Sequence, residues 1–320
     1  MRARAPDLDR VAGCILGAAV GDALGHPVEF MDLDGIRRAY GPEGVTGYVL
    51  WWGDGARRFA PYTDDTQMAE VTLRALLTAR EAGEDLEPTM ERIGRGYAEW
   101  AETPQGGHRA PGSACLRGAR ELRDGRAWRA GDPDAGGCGS VMRAHPFGVL
   151  FSHDEALAER WAVEHSRLTH AHPMALAACA ALAVGVRRAL RGAEPSEVLD
   201  GLIDAAAHWD AETAVLCRSA ARGELSGQPP EKALERLQGW NAREAVAAAA
   251  YVFGRQPDEP RKAVLEAVNS PGDSDSIGTL VGALIGARLG LAALPSAWVR
   301  DLERSDELLE LARRAQAACG

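Results

Sequence analysis

Long apolar runs with helical spacing, interrupted by proline and glycine, dominate this sequence. Apolar positions three and four residues apart predict buried or amphipathic α-helices, and the prolines stand at their starts or between them. Segment 41–61 has little periodicity and predicts a long loop or a short hairpin. No alternating β-branched run predicts a longer strand, so we expect an all-α fold. The predicted helices cover 11–25, 65–82, 87–101, 113–124, 154–166, 172–191, 195–207, 230–237, 242–254, 259–268, 277–294 and 305–318.

Two of the apolar runs carry a glycine at every fourth position. A glycine inside a helix costs about 1 kcal/mol relative to alanine, so a repeated stripe needs a structural reason. Small residues four apart let two helix backbones approach closely, and this geometry does not require a membrane. We expect both helices to run through the centre of the protein, where they are candidates to pack together. The stripes are Gly13, Gly17, Gly21 and Gly25, and Gly278, Gly282, Gly286 and Gly290.

The longest apolar run, 277–294, is long enough to span a membrane, but it contains Arg288 and begins at an acidic cluster. A single span there would leave the other glycine-rich helix unexplained, so we interpret the run as a buried helix. At the N-terminus, Pro6, Asp7 and Asp9 stand where a secretory signal needs an apolar core. Neither a signal peptide nor a membrane partner is expected.

The composition indicates a globular chain of 320 residues and 34.0 kDa, of which 46% are hydrophobic. Neither a long repeat nor a low-complexity linker divides it, so we expect a single large domain over residues 1–320. Thirty-six basic and forty-six acidic residues give a net charge of −10, which argues against non-specific binding to nucleic acid. Six scattered cysteines without a C-x-x-C pair indicate reduced thiols and a cytoplasmic protein.

Two short polar clusters, 62–66 and 271–276, combine carboxylates with hydroxyls directly before a long apolar run. Asp64 and Asp65 lie in the first cluster, and Asp273 and Asp275 lie in the second. Asp, Ser and Thr oxygens without neighbouring Cys or His select hard cations such as Mg²⁺, Mn²⁺ or Ca²⁺. If the fold brings the clusters together, their oxygens form a cage for one or two such cations.

Each cluster taken alone has a simpler interpretation. Thr66 or Ser276 would cap the helix that follows, with acidic residues favoured by the helix dipole. An EF-hand is excluded because Ile277 stands where the calcium loop needs an oxygen ligand. His170 and His172 form a His-x-His pair near a helix start, which is more typical of a cap or of packing than of a zinc site.

Five segments in this order resemble the ADP-ribosylglycohydrolase family, which includes the dinitrogenase reductase-activating glycohydrolases. Each segment alone is weakly specific, whereas the ordered set is highly specific and spans almost the whole chain. The segments are 13–25 (GCILGAAVGDALG) with 28–30 (VEF), 62–68 (YTDDTQM), 137–143 (GCGSVMR) with Pro146, 169–173 (THAHP) and 272–278 (GDSDSIG).

The resemblance implies one orthogonal helical domain with a central two-metal site for Mg²⁺ or Mn²⁺. The implied substrate is ADP-ribose attached through its anomeric carbon to a protein side chain or another acceptor. Backbone N–H groups of the glycine-rich loop suit ribose and phosphate contacts. The implied metal ligands are Thr63, Asp64, Asp65, Asp273, Asp275 and Ser276, the last at a position where the family usually has threonine. The implied substrate-binding residues are Gly137, Cys138, Gly139, Ser140, Val141, Met142, Arg143 and His170, with His170 a better match than His172.

Two departures from the family pattern bear on the chemistry. Cys138 stands where many relatives have asparagine, so contacts with the ribose or the acceptor are expected to differ. Segment 103–112 lacks the Asp or Glu that some relatives carry there. Base chemistry would then rest on a metal-bound water together with Glu29, or with one of the metal-binding carboxylates Asp64 and Asp65.

These features predict a metal-dependent hydrolase that cleaves the bond between ADP-ribose and its acceptor through an oxocarbenium-like transition state. An ADP-ribose-binding module without turnover and a metal-dependent nucleotide phosphohydrolase stay open as alternatives. The acceptor is open among arginine, serine, a nucleic-acid base and O-acetyl-ADP-ribose, so nucleic acid enters only as a modified substrate. We expect acceptor contacts from 51–59 and 103–109. The candidates for stacking on adenine are Trp100, Trp240, Tyr251 and Phe253.

Overall fold

The structure, a computed structural model, describes residues 5–54 and 57–319. Within these residues it has sixteen α-helices and one antiparallel hairpin, so the expected all-α class is confirmed. The helices are α1 (Leu8–Gly25), α2 (Leu33–Tyr40), α3 (Asp64–Ala82), α4 (Leu86–Glu102), α5 (Ser113–Arg123), α6 (His145–Leu150), α7 (Glu155–Ser166), α8 (Pro173–Leu190), α9 (Pro195–Ala207), α10 (Ala211–Arg222), α11 (Pro230–Arg236), α12 (Ala242–Arg255), α13 (Pro260–Val268), α14 (Ser274–Leu289), α15 (Ser296–Asp301) and α16 (Ser305–Ala318). The hairpin pairs β1 (Trp52–Asp54) with β2 (Arg57–Phe59).

Every helix that the apolar pattern predicts is present, and the hairpin confirms one of the two alternatives for segment 41–61. The pattern misses α2, α6, α10 and α15. Helix α10 escapes it because the buried positions Ala214, Cys217 and Ala220 are small, while the larger Val215 faces solvent. The prediction of a helix up to residue 294 is wrong, because Gly290 takes a positive φ of 88° and ends α14.

Helices α1 and α14 pack against each other through their glycine stripes. A Cβ atom placed on Gly17 would lie closer than 3.0 Å to the carbonyl oxygen of Gly282, and one on Gly21 would meet the carbonyl oxygen of Gly278 in the same way. An approach this close leaves no space for a side chain. The order of these pairs makes the two helices antiparallel. The expected central position and mutual contact of the two stripes are therefore confirmed.

Two described segments are long and apolar enough to cross a membrane, namely Leu8–Val28 and Pro173–Leu190. Within the structure, 89% and 78% of these windows are buried. Other helices of the same chain thus cover most of their apolar surface, and packing within the protein accounts for their hydrophobicity. The run from 277 onward is buried as well, in agreement with its interpretation as a core helix.

The pairing of α1 with α14 brings three helix ends together. Asp22, near the C-terminal end of α1, accepts hydrogen bonds from the backbone N–H groups of Thr63 (2.9 Å) and Thr66 (3.0 Å) at the start of α3. The first turns of α3 and α14 therefore lie beside the same end of α1. Both turns favour negative charge through the helix dipole. The two polar clusters of the sequence form these turns.

We expect acid sensitivity from His145, a buried residue that begins α6. Burial lowers the pKa of His145 from 6.5 to about 4. Below about pH 6.5 the unfolded chain binds a proton that the folded chain does not, so the free energy of unfolding falls as the pH drops toward about 4. His145→Gln removes the titrating imidazole. In this variant the free energy of unfolding should therefore fall less steeply with decreasing pH, by up to about 1.4 kcal/mol per pH unit. Urea unfolding of both proteins across this pH range tests the prediction, and parallel pH profiles would contradict it.

Candidate active site

The structure brings the two polar clusters into direct contact. The Ser276 hydroxyl, in the first turn of α14, donates a hydrogen bond to Asp65 Oδ2 in the first turn of α3, at 3.0 Å across 211 positions of sequence. Asp64, Asp273 and Asp275 are buried with them around one cavity. The condition set by the sequence, that folding joins the clusters, is therefore met.

The helix caps differ from those proposed for each cluster alone. Thr63 is the N-cap of α3, and its hydroxyl accepts a hydrogen bond from the N–H of Asp65 at 3.3 Å. Asp273 is the N-cap of α14, and its carboxylate accepts from the N–H of Ser276 at 3.4 Å. Capping by Thr66 or Ser276 is therefore wrong. The caps fix the side chains of both first turns at the cavity.

Asp22 belongs to this site, although in the sequence it stands apart from both polar clusters. It is fully buried in α1 and accepts hydrogen bonds from the Thr66 hydroxyl at 2.6 Å and from the N–H groups of Thr63 and Thr66. These donors hold the start of α3 against α1, so Asp22 is a positioning residue. The sequence does contain one indication of this role, because Asp22 is a lone carboxylate within the glycine stripe of an apolar helix.

The site concentrates buried carboxyl groups that lack a paired basic side chain among the described residues. Burial raises the pKa of Asp64 and Asp65 well above the usual range, and the nearby carboxylate of Asp22 raises it further. The pKa of Asp275 is also raised well above the usual range, first by burial and then by the carboxylates of Asp65 and Asp273. Among the side chains that the structure describes, no Arg or Lys forms an ion pair with these carboxylates, with Asp22 or with Asp273. Buried charges need a partner, and divalent cations prefer oxygen donors of this kind. The donor set therefore fits the cations that the resemblance implies.

The cavity has a volume of about 310 Å³. Of the fifteen residues that the sequence proposes as catalytic, metal-binding or substrate-binding, eleven line it and four do not. The lining residues among them are Glu29, Asp64, Asp65, Gly137, Cys138, Gly139, Met142, His170, Asp273, Asp275 and Ser276. Thr63, Ser140, Val141 and Arg143 are fully buried outside the lining.

The glycine-rich segment forms a short 3-10 helix, Cys138–Arg143, on one wall of the cavity. The Cys138 thiol donates to Asp273 Oδ2 at 2.6 Å, so the residue that replaces the usual asparagine contacts a proposed metal ligand directly. Arg143 is directed into the core instead. Its guanidinium donates to the Thr169 hydroxyl at 2.6 Å and lies 4.3 Å from the centre of the Tyr97 ring.

The two histidines of the His-x-His pair have different positions. His170 lines the cavity, and its Nδ1 lies 2.7 Å from the Thr169 hydroxyl. Burial and the charge of Arg143 lower the pKa of His170 to about 3, so the imidazole stays neutral. His172 is the N-cap of α8, and its Nδ1 accepts from the N–H of Met174 at 3.2 Å. The capping interpretation is therefore confirmed for His172.

Two stacked aromatic rings stand at the mouth of the cavity. Phe30 and Trp240 have ring centroids 5.1 Å apart and an angle of 22° between their planes, and they are 70% and 41% exposed. Phe30 has a positive φ of 67°. Its backbone N–H donates a hydrogen bond to the Gly272 carbonyl at 3.0 Å and holds this conformation. Of the four aromatics considered for adenine, Trp240 alone lines the cavity; the other three, Trp100, Tyr251 and Phe253, are buried elsewhere.

The rim residues differ from those expected. Residues 55 and 56 of the first expected segment lie outside the described residues. Residues 51–53, 58–59 and 103–109 do not line the cavity, whereas 110–115 do. Arg109 anchors this segment by donating to the Tyr62 carbonyl at 2.7 Å and by a buried ion pair with Glu303. The Arg109 carbonyl accepts from the N–H of Asp64 at 3.3 Å. These contacts hold the rim directly against the start of α3.

Known proteins resemble the chain over almost its entire length. The sequence profile of the family described as ADP-ribosylglycohydrolase matches residues 3–320. Identity is 29% to ADP-ribosyl-[dinitrogen reductase] glycohydrolase of Rhodospirillum rubrum, covering 97% of this chain and 95% of that protein. It is 28% to ADP-ribosylarginine hydrolase Tri1 of Pseudomonas putida, covering 96% and 77%. A solved structure titled "ADP-ribosylglycohydrolase-related protein complex" matches with a TM-score of 0.72 at 28% identity, covering 98% of this chain and 99% of that one.

Proposed function

The chain belongs to the ADP-ribosylglycohydrolase family, and on this premise we propose that it uses two divalent cations to cleave ADP-ribose from a protein acceptor. The observation that carries this proposal is the joining of two carboxylate clusters, without a neutralising Arg or Lys ion pair among the described residues, at one cavity. Buried carboxylates without a cation are costly, and Mg²⁺ or Mn²⁺ would offset that cost.

We propose that six residues hold the cations, with Asp22 outside this set because three hydrogen-bond donors already occupy its carboxylate. When bound, the cations supply Lewis acidity at the ribose hydroxyls. The proposed ligands are Thr63, Asp64, Asp65, Asp273, Asp275 and Ser276. Their carboxylates also place negative charge where positive charge develops on the ribose in an oxocarbenium-like transition state.

Glu29 is the proposed proton acceptor. It lies at the cavity wall directly after the 3-10 turn His26–Val28, which follows α1, and it is largely buried. Burial and the carboxylates of Asp273 and Asp22 raise its pKa, which favours proton transfer near neutral pH. Segment 103–112 offers no competing acid, since it contains no Asp or Glu. Glu29 would position the attacking water and take its proton.

The remaining lining residues suit the rest of the substrate. Gly137 and Gly139 bring backbone to the cavity surface, and neutral His170 lies beside them as a hydrogen-bonding group for ribose or phosphate. The exposed rings of Phe30 and Trp240 offer an aromatic surface on which adenine would stack. The names of the two relatives mention dinitrogen reductase and ADP-ribosylarginine. We therefore propose arginine on a protein as the first acceptor to examine.

We further propose a single domain over residues 1–320 and a cytoplasmic location without a membrane partner. One continuous core cluster extends from α1 to α16 and supports the first proposal. Free cysteines and an acidic sequence support the second. Nucleic acid enters this proposal only as an ADP-ribosylated substrate.

An activity panel tests the function. The protein should release ADP-ribose from ADP-ribosylated arginine when Mg²⁺ or Mn²⁺ is present, and a chelator should stop turnover until the metal is restored. Parallel reactions should contain substrates linked through serine, a nucleic-acid base and an acetyl group. Calorimetric binding of ADP-ribose without turnover of any substrate would favour a binding module. Release of inorganic phosphate from ADP-ribose would favour a phosphohydrolase, and chelator-resistant turnover would reject the metal-dependent mechanism.

A further inference from the structure

A histidine that the family resemblance does not assign lies beside the carboxylates. His26 follows α1 directly and begins the 3-10 turn His26–Val28. Its side chain is 22% exposed, while its Nδ1 atom is buried without a hydrogen-bond partner and lies 3.8 Å from Glu29 Oε2. One donor atom each from His26, Glu29 and Asp275 lie within 4.8 Å of one another. A nitrogen donor thus enters an otherwise oxygen-rich site.

The backbone fixes His26 relative to Asp275. Gly25 packs so closely on the start of α14 that a Cβ atom there would lie under 3.0 Å from Ser274 and Asp275 backbone atoms. The Ser274 hydroxyl also donates to the Gly25 carbonyl at 3.1 Å. His26 is the next residue along the chain. Its position beside Asp275 is therefore set by the glycine contact between α1 and α14 rather than by a mobile side chain alone.

The spacing of His26 and Asp275 suits a shared metal ion. Two ligand atoms about 2.1 Å from one cation lie about 3.0 to 4.2 Å apart, so donors that already lie within 4.8 Å of each other need to move by about 1 Å or less each. The groups that face His26 are the carboxylates of Glu29, Asp22 and Asp275. None of these carboxylates forms a hydrogen bond with His26 Nδ1 in the described structure.

We infer that His26 binds one of the two cations through an imidazole nitrogen, beside the proposed ligand Asp275 and with Glu29 left as the proton acceptor, and so makes this position select a transition metal over Mg²⁺. Imidazole suits borderline first-row metals, whereas Mg²⁺ is held by oxygen donors. Co²⁺ and Zn²⁺ are accordingly preferred there over Mg²⁺. This inference rests on the metal centre of the proposed function and adds the identity of its preferred ion.

Metal titrations of the full-length protein test the inference without measuring turnover. His26→Asn replaces the imidazole with a smaller amide. It should weaken Co²⁺ binding about tenfold or more, and Mg²⁺ binding by less than about threefold. The visible absorption of bound Co²⁺ should also change, because one nitrogen donor is lost. His208→Asn is the matched control, since His208 is exposed and pairs with Glu159 away from the cavity; it should leave both affinities unchanged.

The outcomes separate this inference from the proposed function. Equal losses of Co²⁺ and Mg²⁺ affinity, or an unchanged Co²⁺ spectrum, would overturn the role of His26 while leaving a metal-dependent hydrolase. A wild-type protein that binds Mg²⁺ and Co²⁺ equally well would overturn the selectivity. A wild-type protein that binds no divalent cation yet hydrolyses its substrate would overturn both.

Discussion

Asp64→Ala should reduce the turnover of an ADP-ribosylated substrate by about 10³-fold or more while leaving the helical fold intact. Asp64 is buried at the cavity in the first turn of α3, and it is a proposed cation ligand. Removing a ligand weakens cation binding and misplaces the ribose, and losses of this order follow when such electrostatic contacts are removed. Steady-state kinetics with circular dichroism of the same samples would measure both effects.

The same substitution should not destabilise the metal-free protein. Burial and Asp22 raise the pKa of Asp64, so folding disfavours its ionised form near neutral pH. Removing that carboxylate relieves the repulsion, and the metal-free variant should melt at or above the wild-type temperature. Added Mg²⁺ or Mn²⁺ should raise the melting temperature of the wild type and have a smaller effect on the variant.

A matched control is Asp85→Ala, which removes an exposed carboxylate at the N-cap of α4. This variant should retain wild-type turnover and the wild-type response to metal, because Asp85 lies outside the cavity lining. If Asp64→Ala hydrolyses its substrate at the wild-type rate, the proposed metal centre is incorrect. If both variants lose activity together, general damage to the fold rather than the loss of a ligand would explain the result.

Gly282→Ala should destabilise the protein by about 3 kcal/mol or more, opposite in sign to its effect on an isolated helix. In a solvent-exposed helix the added methyl group would stabilise by about 1 kcal/mol. Here the new Cβ atom would lie under 3.0 Å from the carbonyl of Gly17, so α1 and α14 would have to separate. Overpacking of this kind costs about 1–3 kcal/mol in deformable cores, and two backbones adjust less readily than side chains.

Chemical denaturation of Gly282→Ala would measure the loss, with Gly227→Ala as the control. Gly227 has open space around its missing Cβ atom and no positive φ, so alanine there should be close to neutral. The Gly282 variant should also lose activity, because α14 carries Asp275 and α1 carries Asp22 into the site. Wild-type stability in Gly282→Ala would contradict the close packing of the two backbones.

The sequence predicts the helices well where large apolar residues set the period, and less well where small residues form the buried face. Helix α10 illustrates the limit, because Ala214, Cys217 and Ala220 face the core while Val215 is exposed. The end of α14 is a second case. A window of apolar residues continues past Leu289, but the positive φ of Gly290 ends the helix.

At the site, the sequence identifies residues whose chemistry is concentrated locally and misses those recruited from elsewhere. The carboxylates of each cluster are neighbours along the chain, so their chemistry is visible before folding. Asp22 and His26 stand apart within or beside an apolar helix. Phe30 and Trp240 are 210 positions apart, and their stacking exists only once the chain has folded. Single residues such as these carry little signal in one sequence.

The all-α class, the two glycine stripes and the two carboxylate clusters follow from the sequence alone, because each depends on spacing along one segment. The tertiary structure alone decided that α1 and α14 meet backbone to backbone, and that their contact brings Asp22 and His26 to the clusters. It also decided that Thr63 and Asp273 are the caps and that Arg143 is buried in the core. These features depend on distances between segments far apart in sequence, and local propensity does not encode such distances.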